Sequence, residues 1–289
     1  EMLTRDWSSD VCSSDLKPVI SAGFLLLYMY RPITSRENSI FKQLRKLKRK
    51  KYRDRESRYL IEGENLICEA LDNEECMEEI ILREDVALKF EAIADEASAP
   101  VYTLPPELFD DVADTETCQG ILAVVKKQIY NIKDMVNLCG AGTNLVVLDR
   151  LQDPGNIGTV IRTAEACGYS AVVCMKGTSD PFAPKVVRAA AGSLFRLPVI
   201  FVEKPEELVG LVRMLGKRLI VSGMHGKQNY FDVDLSKDVA IVIGNEGNGC
   251  SRAVMTEADT VVSIPMRGKL ESLNASVAAA VLMYESVRK

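Results

Sequence analysis

The sequence of 289 residues holds one histidine, His225, one tryptophan, and no two of its eight cysteines in a Cys-x-x-Cys pair. A zinc site or a disulfide framework therefore has no ligand spacing to build on, so no metal is expected and the thiols read as reduced, in a cytoplasmic protein. A mechanism that needs a histidine base has only His225 to use, and its place in a Gly-Met-His-Gly loop suits a structural role better than a catalytic one. Long apolar runs are missing too. The stretch 19–30 covers twelve residues, well short of the ~20 that cross a bilayer, and no small-x-small cleavage signal follows it, so no membrane association is expected. Nor is there an excess of base. The net charge of −5 argues weakly against a nucleic-acid binder, although local fields rather than sums meet a phosphate backbone.

One segment reverses that balance. Between Lys42 and Arg58 ten Lys or Arg residues stand against Asp54 and Glu56, a local +8 that leaves −13 for the remainder. A solvated helix face and a phosphate-binding surface account for such a run equally well, and its contrast with an otherwise acidic chain tilts the reading toward RNA. Ahead of it, the near-repeat SSD-VC-SSD-L has neither helical nor strand period and reads as translated adapter sequence. Residues 1–32 are expected to be a non-native or disordered leader, with the native product starting at or near Met29.

From Ile33 onward the pattern alternates. Ile40, Leu44 and Leu47 lie on one face of a helix over 39–47, and short β-like runs at 59–63, 79–82, 101–104 and 120–125 are separated by helical stretches at 64–71 and 87–97. This predicts a small α/β domain over 33–126 and a linker over 127–143 containing a helical piece and Gly140-Ala141-Gly142. The second half, 144–289, places continuous apolar strands at 144–148, 171–174, 219–222, 239–243 and 260–264, with a helix at 157–167 stopped by Gly168. Unbroken apolar strands separated by helices predict a parallel sheet covered on both faces, with ligands at the loops leaving its carboxyl ends.

Three of those loops carry the unusual residues. The first runs from Asp149 through Pro154-Gly155; Asn156 is expected to cap the helix behind it, and Arg162 to lie within its first two turns. A cation so near a helix N-terminus opposes the macrodipole, which suggests a phosphate or carboxylate partner, a salt bridge to a neighbouring subdomain being the structural alternative. The second loop, Gly244-Asn245-Glu246-Gly247-Asn248-Gly249, follows an apolar strand directly. Its glycines suit close approach to a ligand, but their order is neither the dinucleotide fingerprint nor the Walker loop. The third, 264–277, runs into a C-terminal helix whose Val277, Val281, Tyr284 and Val287 fall at near-helical spacing, with Ser272 and Asn274 at its mouth.

NIGTVIRTA, IVIGNEGNGCS and IPMRGKLESLNASVAAA resemble, in order and spacing, the three motifs of the SpoU/TrmH branch of the SPOUT RNA methyltransferases, over roughly 144–284. More loosely, RYLIEG at 58–63 and CQG at 118–120 resemble the small ribosomal-protein-like substrate-binding domain that many members carry. The resemblance implies an α/β fold: a C-terminal parallel-sheet SPOUT domain with a trefoil knot, preceded by a small N-terminal α/β RNA-binding domain. It implies a homodimer with active sites near the subunit interface and S-adenosyl-L-methionine as methyl donor. At matching positions Gly244, Ile264 and Leu273 contact the donor with Asn245 and Met266 beside them, while Asn156, Arg162, Glu246, Ser272 and Asn274 serve catalysis or its support.

The reaction so implied is transfer of methyl to a ribose 2′-hydroxyl, with ribosomal RNA preferred to transfer RNA because of the extra domain and its basic helix. A guanidinium has no acceptor and a pKa above ~12, so Arg162 is expected to bind the adjacent phosphate and stabilise developing alkoxide charge rather than take the proton. The competing readings are a non-catalytic RNA-binding protein that kept the fold and a nucleotide-binding oxidoreductase. The glycine order and the short span before the next strand speak against the second.

Overall fold

The computed structural model describes residues 30–224 and 226–288, so the adapter-like stretch, the start at Met29 and His225 lie outside the described residues. The N-terminal unit runs β1 (Arg31–Pro32), α1 (Ser39–Leu47), α2 (Lys50–Glu56), β2 (Arg58–Glu62), α3 (Glu64–Asp72), β3 (Met77–Arg83), a 3₁₀ stretch (Glu84–Phe90) leading into α4 (Glu91–Glu96), then β4 (Val101–Leu104), α5 (Pro106–Val112) and β5 (Ile121–Lys126). Its strands form a mixed sheet in the order β1-β4-β3-β5-β2, with β5 antiparallel to both neighbours. Tyr30 is buried and β1 pairs with Tyr102 and Thr103, so residues 30–32 of the expected leader pack against the N-terminal unit. In α1, Asn38 caps by accepting from the N–H groups of Ile40 and Phe41, and the buried stripe is Phe41, Leu44 and Leu47, with Ile40 only packed at its edge.

A connecting helix, α6 (Ile132–Leu138), closed by the reciprocal Asn131–Asp134 capping box, leads to the second unit. There the order is β6 (Leu145–Asp149), α7 (Pro154–Ala166), β7 (Ala171–Met175), α8 (Pro184–Ala190), α9 (Ser193–Arg196), β8 (Val199–Val202), α10 (Pro205–Met214), β9 (Arg218–Ser222), β10 (Gln228–Asn229), β11 (Val239–Gly244), α11 (Arg252–Glu257), β12 (Thr260–Ser263) and α12 (Ala275–Ser286). All seven strands are parallel, in the order β10-β12-β9-β11-β6-β7-β8. Each face is covered. α7, α8 and α12 lie over one, and α6, α10 and α11 over the other, which is why β6 and β7 are apolar at every position but one. After β12, near one edge, the chain returns to the middle of the sheet, where α12 packs on α7 and β11.

The two units share one apolar cluster, in which Tyr59 and Ile61 of the first meet Phe182 and Val187 of the second. Polar contacts reinforce this joint. Arg53, 3% exposed, donates through Nε and Nη2 to Asp180 at 2.8 and 2.6 Å and through Nη1 to the Leu47 carbonyl, while Arg188 pairs with Asp114 and Arg196 with Glu69. A buried pair of this kind sets geometry more than net stability, because desolvation offsets most of its attraction. The basic run is therefore divided: Arg53, Lys48 and Arg58 hold the fold together, and Arg45, Arg49 and Lys51 remain exposed. No helix among the described residues is long and apolar enough to cross a membrane.

Candidate active site

The three unusual loops meet at the carboxyl end of the sheet, where β6 and β11 lie side by side with Asp149 opposite Gly244. After β6 the chain turns through Arg150 at φ +61°, a left-handed conformation that a non-glycine residue holds only where its surroundings demand it. The Asp149 carboxylate fixes that turn. It accepts from Arg150 Nε at 3.0 Å and from the Ser251 N–H at 2.5 Å, joining the first loop to the end of the second. Asp153, not Asn156, caps α7: its side chain accepts from the Asn156 N–H at 2.8 Å, and Pro154 occupies the first helical position. Asn156 is thereby released from capping and turns, buried, toward Glu246.

Glu246 is the hub. Its Oε1 accepts from the Asp153 N–H at 3.1 Å and from Asn156 Nδ2 at 3.2 Å, and its Oε2 from the Gln152 N–H at 3.1 Å and from Asn245 Nδ2 at 3.4 Å. From Asn156 the chain of bonds continues: Asn274 Nδ2 donates to Asn156 Oδ1 at 2.9 Å, and Asn274 Oδ1 accepts from the Ser276 N–H at 2.9 Å, capping α12. The polarity of this relay is fixed at both ends. A carboxylate only accepts and a helix N-terminus only donates, so each of the two amides between them has one orientation that satisfies all its bonds.

The second loop serves the same end. A Cβ at Gly244 would stand 2.2 Å from the Cys250 nitrogen, so this glycine is required by the turn folding back on its own strand, a nearer partner than the ligand its motif suggested. Asn245 organises that turn. Its Oδ1 accepts from the N–H groups of Gly247 and Asn248 while its Nδ2 donates to the Arg150 carbonyl.

The structure thus gathers Asn156, Asn245, Glu246 and Asn274 into one network, with Gly244 beneath it. Ile264, half-buried, Met266 and Leu273 lie on the 264–274 loop that leads into Asn274. Ser272 is exposed on that loop and makes no hydrogen bond among the described residues. Arg162 is not in the network. It occupies the third turn of α7 rather than the first two, is exposed, and has no acidic partner among the described residues, so neither the macrodipole argument nor the alternative salt bridge accounts for it. Gln152 and Asp153 were missed as site residues. The Asp-Pro pair is itself a helix-start signal and could have marked the cap; nothing in the sequence identifies Gln152 as a main-chain donor to Glu246.

Partial burial raises the Glu246 pKa, but the N–H of Asp153, its own N–H, the Asn156 amide and the Gln152 N–H lower it further, leaving the carboxyl below its ordinary value. A carboxylate so saturated is a clamp and a poor proton acceptor. A depressed folded pKa means a contribution to stability present above the unfolded value of ~4.3 and lost as pH falls through the folded one. The gap in melting temperature between wild type and Glu246→Gln is therefore expected to narrow as melts are taken from pH 6 down to pH 3. A gap constant across that range would contradict the clamp.

Among the described residues no three His, Cys, Asp or Glu side chains are grouped as a metal site would require. The sequence profile of the SpoU rRNA Methylase family matches residues 143–284, and that of an MRM3-like substrate binding domain matches 38–123. The chain is 34% identical over 254 residues, 88% of its own length and 98% of the relative's, to the 23S rRNA (guanosine(2553)-2'-O)-methyltransferase RlmP of Bacillus subtilis. It is 41% identical over 149 residues, 50% of this chain and 52% of the relative, to the 23S rRNA (uridine(2479)-2'-O)-methyltransferase of Streptomyces viridochromogenes. Among solved structures, the AdoMet-bound rRNA methyltransferase from Sinorhizobium meliloti superposes with a TM-score of 0.80 at 28% identity, covering 90% of this chain and 98% of that one. The SpoU methyltransferase AviRb from Streptomyces viridochromogenes in complex with AdoMet gives 0.76 at 29% identity, covering 87% and 98%. Matched in sequence over both of its units and in fold over most of its length, the chain belongs to the SpoU rRNA methylase family.

Proposed function

We propose that the protein transfers a methyl group from S-adenosyl-L-methionine to a ribose 2′-hydroxyl of ribosomal RNA, and that the Asn274–Asn156–Glu246 relay, which locks three loops at the carboxyl end of the sheet, is the frame of its active site. That relay is the observation that carries the reading. It fixes the loops of all three motifs relative to one another, as an in-line transfer requires.

The residues fit the donor. Among the described residues none of the backbone N–H groups from Met266 to Leu273 has a partner within the chain, while Ile264, Met266 and Leu273 bring aliphatic surface to the same loop. Aliphatic side chains beside free main-chain donors are what a purine nucleoside takes. When bound, the donor supplies a methyl already made electrophilic by its sulfonium. The protein supplies placement and charge. Glu246 and Asn274 hold loops, Ser272 lies free at the mouth of the site, and Arg162 binds the phosphate beside the target ribose and stabilises the developing alkoxide, leaving the proton to phosphate or water.

A homodimer is part of this reading. Of the apolar residues at near-helical spacing, Val277 and Tyr284 on α12 and Val287 at its C-cap are 48, 56 and 47% exposed, while Ala279, Leu282 and Met283 make the inner contacts. A helix apolar on both sides needs a second partner, and a symmetric copy of itself is the commonest one. Threading of the 264–274 segment into a trefoil knot, no resident metal, and work in the cytoplasm, where the free thiols found throughout the described residues persist, complete the proposal.

The test is methyl transfer from labelled donor to total RNA of a strain lacking this gene, followed by mapping of 2′-O-methyl sites. Label at one ribose of ribosomal RNA is the expected result. Label in transfer RNA would move the substrate, and no transfer together with no donor binding by calorimetry would leave an RNA-binding protein that kept the fold.

A further inference from the structure

We infer that the carboxyl rim of the sheet continues past the active site into a binding surface for an unpaired RNA segment, with Phe201 on edge strand β8 as a stacking platform and Lys50 and Lys176 as its phosphate contacts. The inference rests on the methyltransferase reading for its choice of RNA but on separate residues for its geometry. Phe201 is half exposed in a strand whose other three residues are buried, and it projects from the same sheet face as Val199, the face against which the N-terminal unit packs. Its register places it opposite Cys174, which is opposite Leu148. Two strand spacings, about 10 Å, therefore separate it from the strand that ends in Asp149 and the first active-site loop.

The N-terminal unit brings charge to this ring. Lys50, at the start of α2, has its ammonium 5.9 Å from the Phe201 ring centroid. Arg49 and Lys51 flank it, both exposed. From the other side Lys176, directly after β7, pairs with Glu203, and the exposed Lys204 follows. The Lys50 charge also reaches Glu203, helping Lys176 hold that carboxyl below its ordinary value. Against these five cations stand Glu203, Glu207, which accepts from the Glu203 N–H, and Asp54, which is shared between Lys50 and Lys127. The buried Arg53–Asp180 pair fixes α2 against the loop that follows β7, so the lysine and the ring, which come from different units, are held in one geometry. An exposed ring among cations in excess is the arrangement that takes bases by stacking and the intervening backbone by charge, without reading sequence.

Two measurements test it on the full-length protein: anisotropy with a labelled oligouridylate, and the KM for unmodified ribosomal RNA in methyl transfer. Phe201→Ala and Phe201→Leu are expected to weaken both roughly tenfold, the scale of one stacked base, while Phe201→Trp retains them and kcat at saturating RNA stays unchanged. Lys50→Gln and Lys176→Gln should each make the slope of log affinity on log salt shallower by about 0.7. Wild-type affinity in Phe201→Ala with normal methyl transfer would overturn the surface alone. Phe201-dependent binding by a protein that methylates no RNA would support the surface and overturn the transferase reading. Loss of binding in Phe201→Trp equal to that in Phe201→Ala would overturn stacking.

Discussion

Asn274→Asp is expected to melt close to the wild-type temperature and to lose about a hundredfold in kcat, the cost of a misplacement near 1 Å at a reacting centre. The two halves of the Asn274 side chain do separate jobs. Its oxygen caps α12 by accepting from Ser276 and Val277, and Asp caps as well as Asn and adds a favourable charge at the helix N-terminus. Its nitrogen donates to Asn156 Oδ1, and there Asp presents an acceptor to an acceptor. Asn156 has no way to relieve the clash by flipping, because its own Nδ2 is held by Glu246 and a flip would turn an oxygen toward that carboxylate. The mismatch falls on the placement of the 264–274 loop. Asn274→Ala supplies the contrast: it removes cap and relay together and should cost about 1 kcal/mol of stability as well as activity. Melting curves and steady-state rates on both variants decide the matter. An Asn274→Asp enzyme with a wild-type rate would mean that the relay is incidental to catalysis.

What the sequence made legible follows from how local each signal is. The runs at 145–148, 171–175 and 239–243 are unbroken β-branched and apolar, a pattern that a sheet covered on both faces explains, and their loops locate the site. Strand β8, four residues between Pro198 and the two-residue connection to α10, has too little length to declare itself. Arg53 and Lys48 look like any other members of a basic run, since their partners Asp180 and Ala113 are distant in sequence and only tertiary structure pairs them. The same reason hid the outward stripe of α12: periodicity says that Val277 and Tyr284 share a face, not which way the face points. At the site, Asn156, Glu246 and Asn274 were legible as residues but not as a relay, because the order of bonds depends on Asp153 taking over the cap.

Arg162→Ala is expected to leave the melting temperature unchanged and to lower kcat/KM a hundredfold or more, the scale of one preorganised electrostatic stabiliser. The first half follows from the structure: an exposed side chain in the middle of α7, without an acidic partner among the described residues, takes no packing or ion pair with it when truncated, and Ala is the better helix former. The second half follows from what an unpaired cation on the helix that carries Asn156 can do for a phosphate and a developing alkoxide. Arg162→Lys keeps the charge but not the planar fork, so it should retain part of the activity if the role is charge alone. Complete and equal loss in both variants would instead assign Arg162 a bidentate grip on the RNA backbone. Unchanged rates in Arg162→Ala would remove it from the site altogether and leave the relay, with the phosphate or water that accepts the proton, to carry the reaction. The combination of full stability and lost activity is the one result that a structural role for Arg162 does not produce.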